Sequence, residues 1–220
     1  MKTSRFIYLS VLILVITALS LPLQSCDPEE VEPECDTCIV VYKPNIYLYP
    51  TEKTQMVVNL TFPMGGGIIA SEPAYGSGWH ISVDANGFIN NQYHFLFYES
   101  EQPDFWQYTS GWVVQQSDLE VFFTNNLTAY GFADNEIQDF ITYWIPRFEA
   151  YPYYAIYPQT AEIIDRVIEL QISKTPDHLL RLFYVVEGLK NFPQTQPPIP
   201  DIAIFNRSGC FVTEWGVILK

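Results

Sequence analysis

Ser117-Asp118-Leu119-Glu120-Val121-Phe122-Phe123 is the point at which this 220-residue chain changes its period. A serine followed three residues later by glutamate, ahead of an apolar run, is a capping box: each side chain satisfies the other's free backbone N–H. The pattern predicts a helix from here to about Ala129, with Gly131 as its C-terminal stop. Asp134 is placed to cap a second helix. Ile137, Phe140, Ile141, Trp144, Ile145 and Phe148 then recur on one helical face, and Pro146 must kink or end it.

On both sides of this pair the chain alternates as strands do. Ile39 to Tyr49 reads as extended, and Pro44 and Pro50 confine it to a sheet edge or to two short pieces. Gln55 to Phe62 and Trp79 to Val83 alternate apolar with polar residues. Asn86-Gly87 signals a hairpin into Phe88-Ile89, and Tyr93 to Glu99 follows, so this block is expected to be an antiparallel meander. After the helices, Val167 to Ile172 and Leu179 to Val186 flank Thr175-Pro176-Asp177, a hairpin pattern, and Phe211 to Leu219 forms the last strand. The fold class is therefore α+β and strand-dominated, with antiparallel, sandwich-like sheets and two mid-chain helices. Residues 38–220 are expected to form one domain, with a sub-boundary near 116 as the alternative.

The N-terminus carries an address. Lys2 and Arg5 precede an apolar run from Phe6 to Leu23, and Ser25 stands directly before Cys26. Basic, apolar and small-residue regions in that order describe a secretory signal over residues 1–25. The cysteine after the break makes it resemble a bacterial lipoprotein signal, in which Cys26 is lipidated. Residues 26–37, rich in Glu and Pro, read as a solvated acidic tether. Acidic residues behind the lipidated cysteine resemble the surface-export signal of Bacteroidetes lipoproteins. The expected location is the bacterial cell envelope, as an outer-membrane lipoprotein exposed at the surface.

With 11 basic and 25 acidic residues, the formal charge is −14. That excludes phosphate-rich partners, so no nucleic acid is expected. The membrane partner is reached through the lipid on Cys26. Three further thiols, Cys35, Cys38 and Cys210, allow one disulfide in an oxidising compartment. Cys38 and Cys210 each precede a strand, which favours a bridge between them; a local Cys35–Cys38 bridge is the rival. His80, His94 and His178 are scattered, so no metal site is expected. Gly65-Gly66-Gly67 lacks the lysine of a phosphate loop, and no cofactor is expected.

Two sets of residues could carry function. Trp106 and Tyr108 lie in a stretch, Glu101 to Ser110, that reads as a polar loop, so they are expected to be exposed and to bind a glycan or an envelope protein. Glu99, Glu149 and Glu214 each stand beside aromatics. Two of them across a cleft would suit glycoside hydrolysis, one as acid and one as base or nucleophile. The first reading is a lipid-anchored, non-catalytic binding domain. The alternatives are that hydrolase, or a structural component of an envelope assembly.

Lys43-Pro44-Asn45-Ile46-Tyr47-Leu48-Tyr49-Pro50 resembles the opening of an uncharacterised bacterial family of secreted and lipoprotein domains. Tyr75 to Trp79, Tyr93 to Glu99, Pro146-Arg147-Phe148-Glu149 with Tyr151-Pro152-Tyr153, and the closing Glu214-Trp215-Gly216 extend the likeness over residues 43–220. Cys210 departs from it, standing where an aromatic is expected. The resemblance implies extent and compartment, and brings no chemistry with it.

Overall fold

The computed structural model describes residues 38–220. The expected signal sequence, the expected lipidation site Cys26 and the expected tether lie outside the described residues. Among the described residues, ten strands form two sheets. β1 (Cys38–Tyr49), β3 (Gly67–Glu72), β5 (Leu96–Pro103), β6 (Trp112–Gln115), β7 (Tyr153–Thr160), β9 (His178–Leu189) and β10 (Phe211–Leu219) build a seven-stranded sheet in the order β3-β5-β1-β10-β9-β7-β6. β2 (Thr54–Thr61), β4 (Trp79–Val83) and β8 (Glu169–Ile172) form a three-stranded sheet in the order β4-β2-β8. Helices α1 (Leu119–Tyr130) and α2 (Asp134–Trp144) pack on the other face of the large sheet, and α3 (Ala161–Ile164) is a single turn. The architecture is a strand-dominated α+β sandwich of three layers. Among the described residues no helix is long and apolar enough to cross a membrane.

Each layer boundary has its own core. Met56, Val58, Trp79, Ile81, Leu96, Tyr98, Phe183 and Val185 fill the space between the sheets. Phe123, Phe140, Trp144, Phe148, Tyr184 and Trp215 fill the space between sheet and helices. Burial of this apolar area is the main favourable term for the fold. The pairing of β1 with β10, the first and last strands, joins residues on both sides of 116 in one sheet.

β1 is central, contrary to the edge position that Pro44 suggested. A bulge resolves the conflict. Tyr42 pairs with Val217 but Asn45 pairs with Trp215, so one extra residue is inserted, and Lys43 takes φ 55°. Pro44, which has no N–H to give, sits in that irregularity where no ladder bond is asked of it. The insertion also shifts the phase of the strand. Val41 and Ile46, five residues apart, face the same core, as do Tyr42 and Tyr47 on the other side.

Three further expectations are corrected. The meander is absent: β2 and β4 belong to the small sheet, while β3 and β5 belong to the large one. β8 and β9 are not a hairpin, because residues 173–177 carry the chain from one sheet to the other. β9 and β10 pair in parallel, so the large sheet is mixed. The helices follow the pattern more closely. Gly131 stops α1 at φ 102°, and α2 ends at Trp144 just before Pro146. Their starts differ. Residues Gln116–Asp118 form a 3-10 turn ahead of α1, with no side-chain cap. At α2 the Glu136 carboxylate accepts the Ala133 N–H at 2.7 Å, and alanine has no oxygen to return, so only half a capping box forms.

The proposed staple between Cys38 and Cys210 does not exist. Cys38 is disulfide-bonded, whereas Cys210 is a free, buried thiol. The reason is topological. Val41 pairs with Ile218 and Tyr49 with Phe211, so antiparallel pairing sends Cys38 and Cys210 to opposite ends of the ladder. Cys210 falls opposite Pro50, so at about 3.3 Å per residue the two lie roughly 35–40 Å apart, far beyond the ~7 Å a disulfide spans. Cys35, the rival partner, lies outside the described residues.

Candidate functional site

Trp106 was expected in an exposed loop, and the structure buries it at 6% exposure against Phe183. The cause is a reciprocal pair of glutamines. Gln107 N–H donates to Gln159 Oε1 at 2.8 Å, and Gln159 Nε2 donates to the Gln107 carbonyl at 2.9 Å. Gln107 Nε2 also donates to the Pro158 carbonyl at 2.7 Å. These bonds pin the segment against β7 and turn the indole inward. Tyr108 stays at the surface, its hydroxyl donating to Asp104 at 2.8 Å and its ring edge-on to Tyr157.

The three glutamates are dispersed. Glu214 is fully buried between the sheets, where its Oε2 accepts from Arg181 Nε at 2.5 Å and its Oε1 accepts from Tyr98 at 2.8 Å. Arg181 also donates to Asp165 and to the Ile168 carbonyl. Tyr98 precedes Glu99 in β5, so Glu99 points to the opposite face of the large sheet from Glu214. Glu149 is exposed beyond the 3-10 turn Ile145–Arg147. Glu214 is a sealed ion-pair partner that solvent cannot reach, and neither Glu99 nor Glu149 lines the cleft described next.

The bulge in β1 opens a different site, on the helix side of the sheet. Lys43 takes left-handed φ, and its side chain lies over Phe97 of β5 and over Phe95, just before that strand. The ammonium lies 4.3 Å from the Phe97 ring centroid, 4.9 Å from that of Phe95 and 5.5 Å from that of Tyr143. Such contacts attract a cation to the negative faces of the rings. Asp139, Tyr143 and Arg147 recur every four residues along α2 and its 3-10 extension, so one helical stripe faces the bulge. Tyr47 donates to Asp139 at 2.9 Å, and Asn45 Nδ2 donates to Tyr47 Oη at 3.4 Å. Asn45 is buried, and its Oδ1 has no hydrogen-bond partner. Arg147 stacks on Tyr143 with its guanidinium carbon 3.7 Å from the ring centroid.

Beside this cluster runs a cleft of about 290 Å³, lined by Lys43, Glu72, Gln92, Tyr93, His94, Phe95 and Phe97. Glu72 is brought there by β3, which pairs it with Phe97. Burial pulls the Lys43 ammonium below the usual lysine range; Asp139, Glu72 and Glu99 oppose that pull, and Arg147 adds to it. Among the described residues no carboxylate comes within ion-pair distance of Lys43. Its contacts are the three rings, and among the described residues its N–H donors make no side-chain hydrogen bond or ion pair at the cleft wall. Among the described residues no group of three or more His, Cys, Asp or Glu side chains is arranged to hold a metal ion.

Sequence reasoning noticed the octet that begins at Lys43 but gave none of its residues a role. The signal was available in the phase slip between Val41 and Ile46, which demands an extra residue at Lys43-Pro44. Phe95 and Phe97 also alternate with Leu96 and Tyr98, which makes both faces of β5 apolar and calls for cover on both.

No protein-family model matches this chain, no curated protein is significantly similar to it in sequence, and no solved structure matches its fold significantly.

Proposed function

We propose that residues 38–220 are a non-catalytic glycan-recognition domain, carried on a chain anchored to the cell envelope through lipid on Cys26. The observation that supports this is the unpaired Lys43 ammonium over the Phe95 and Phe97 rings at the wall of an open cleft. A sugar has two kinds of surface. Its C–H face is apolar and stacks on aromatic rings, and its rim of hydroxyls both donates and accepts. Phe95, Phe97 and Tyr93 offer the first a partner. Lys43 supplies donors to the rim, while Glu72 and Gln92 supply acceptors. This reading puts recognition at the bulge, whereas the sequence suggested Trp106 and Tyr108.

Titration of the full-length protein against a panel of neutral and charged oligosaccharides tests this reading. Lys43→Met keeps the stem length and removes the donors, and it should weaken binding about tenfold or more, as loss of a hydrogen bond from a charged group does. Phe97→Ala should do the same, with thermal unfolding measured alongside to exclude a folding defect. Binding that is unchanged in both variants would reject this cleft.

A further inference from the structure

We infer that the Lys43 cleft selects uncharged sugars and rejects those bearing carboxylates. The inference rests on the glycan reading above and narrows it. The charges around Lys43 come from four elements. Glu72 stands on β3, Glu99 on β5, and Asp139 on α2; among the described residues the cation acting beside Lys43 is Arg147, just beyond α2. Three carboxylates thus face two cations, within a chain whose net charge is −14. Asp139 is occupied by the Tyr47 hydroxyl, and Arg147 is drawn onto Tyr143 and the Tyr143 carbonyl. Glu72, at the cleft wall, accepts no hydrogen bond from the described residues and stands ready for a donor.

A hydroxyl can meet both Lys43 and Glu72, because it accepts from one and donates to the other. A carboxylate can accept from Lys43 but gives Glu72 nothing, and it adds a fourth negative charge to the group. Such repulsion across a partly desolvated cleft outweighs one more contact to an ammonium already surrounded by acids. A neutral or hydroxyl-rich ring satisfies every wall group at once.

The test uses matched pairs that differ only in charge: oligogalacturonates and their fully methyl-esterified forms, together with neutral hexose oligomers. These are titrated against the full-length protein at low and at physiological salt. Neutral members are expected to bind, with each acid about tenfold weaker than its ester, and the gap should shrink as salt rises. Glu72→Gln should narrow the gap to about threefold, and Glu72 is exposed, so the variant should fold. Acidic sugars binding as tightly as their esters, or a gap that Glu72→Gln leaves intact, would overturn the charge selection while leaving glycan recognition standing. Failure of every sugar, charged and neutral, would overturn both.

Discussion

The two faces of the seven-stranded sheet treat charge in opposite ways. Between the sheets, Arg181 and Glu214 are sealed together, with Tyr98 donating to Glu214 and Asp165 accepting from Arg181, while Arg181 Nη2 has no partner among the described residues. On the helix side, Lys43 is only half buried and has no ion-pair partner among the described residues. A charge that is buried and paired holds structure together, and removal of one partner leaves the other stranded. A charge left unpaired beside a cleft contributes little to stability and is free for a ligand. The same contrast appears in the backbone. Glu214 lies in regular strand, whereas Lys43 sits at φ 55°, a conformation costly for a residue with a Cβ.

The sharpest way to break this contrast is to remove half of the sealed pair. Arg181→Met should cost about 3–5 kcal/mol in denaturant unfolding, because Glu214 is then buried alone. Arg181→Met combined with Glu214→Leu should recover much of that loss, since a buried ion pair can be replaced by apolar groups at little net cost. A double variant as unstable as the single one would mean that the network contributes more than charge compensation.

The phenols that serve the two faces give the next largest effect. Burial and the neighbouring Glu214 hold Tyr98 protonated well above the usual tyrosine range; burial and Asp139 do the same for Tyr47. In the unfolded chain both lose their protons near pH 10. The stability they contribute is thus fully present below pH 10 and is lost as pH rises further, by about 1.4 kcal/mol per unit for each phenol. Unfolding free energy measured between pH 9 and pH 11.5 should fall accordingly, and Tyr98→Phe should flatten the slope. A profile that rises across that window would contradict the assignment.

Lys43 should behave in reverse. Lys43→Gly removes the cation and relieves the left-handed strain, and these effects oppose each other, so stability should change by less than about 1 kcal/mol. Binding to the neutral oligosaccharides should nevertheless be lost. A large stability change with binding retained would make Lys43 a structural residue like Arg181. Smallest of all, Cys210→Ala should cost under about 2 kcal/mol, because only a small buried thiol is removed; breaking a native disulfide would cost about 2–5 kcal/mol.

Much of the fold was legible, because local period reports burial. The six apolar positions from Ile137 to Phe148 announced α2, Gly131 announced the stop of α1, and the alternation of Met56, Val58 and Leu60 announced β2. Elements whose sequence runs against propensity were missed. β7 contains Pro158, which is tolerated because its neighbour β6 reaches only as far as Ile156. β6 is four residues long and shows too little alternation to register. Glu136 received no role from the local pattern, yet it is buried and accepts from Tyr49, Thr213, Arg207 and the Ala133 N–H. Its partners lie as far as 87 residues away in the chain, so no local pattern carries them.

What the sequence determined by itself is the kind of body this is: strands before and after two mid-chain helices, in a chain of formal charge −14. Period and composition are local or summed quantities, and a chain displays them before it folds. Which strands share a sheet, which cysteine is left over, and which charge is sealed or left free were decided only by tertiary structure. Those properties depend on register and on the side of the sheet a residue faces, and one inserted residue at Lys43-Pro44 reverses both. The same residue that breaks the pattern of β1 is the one the fold leaves unpaired at the cleft.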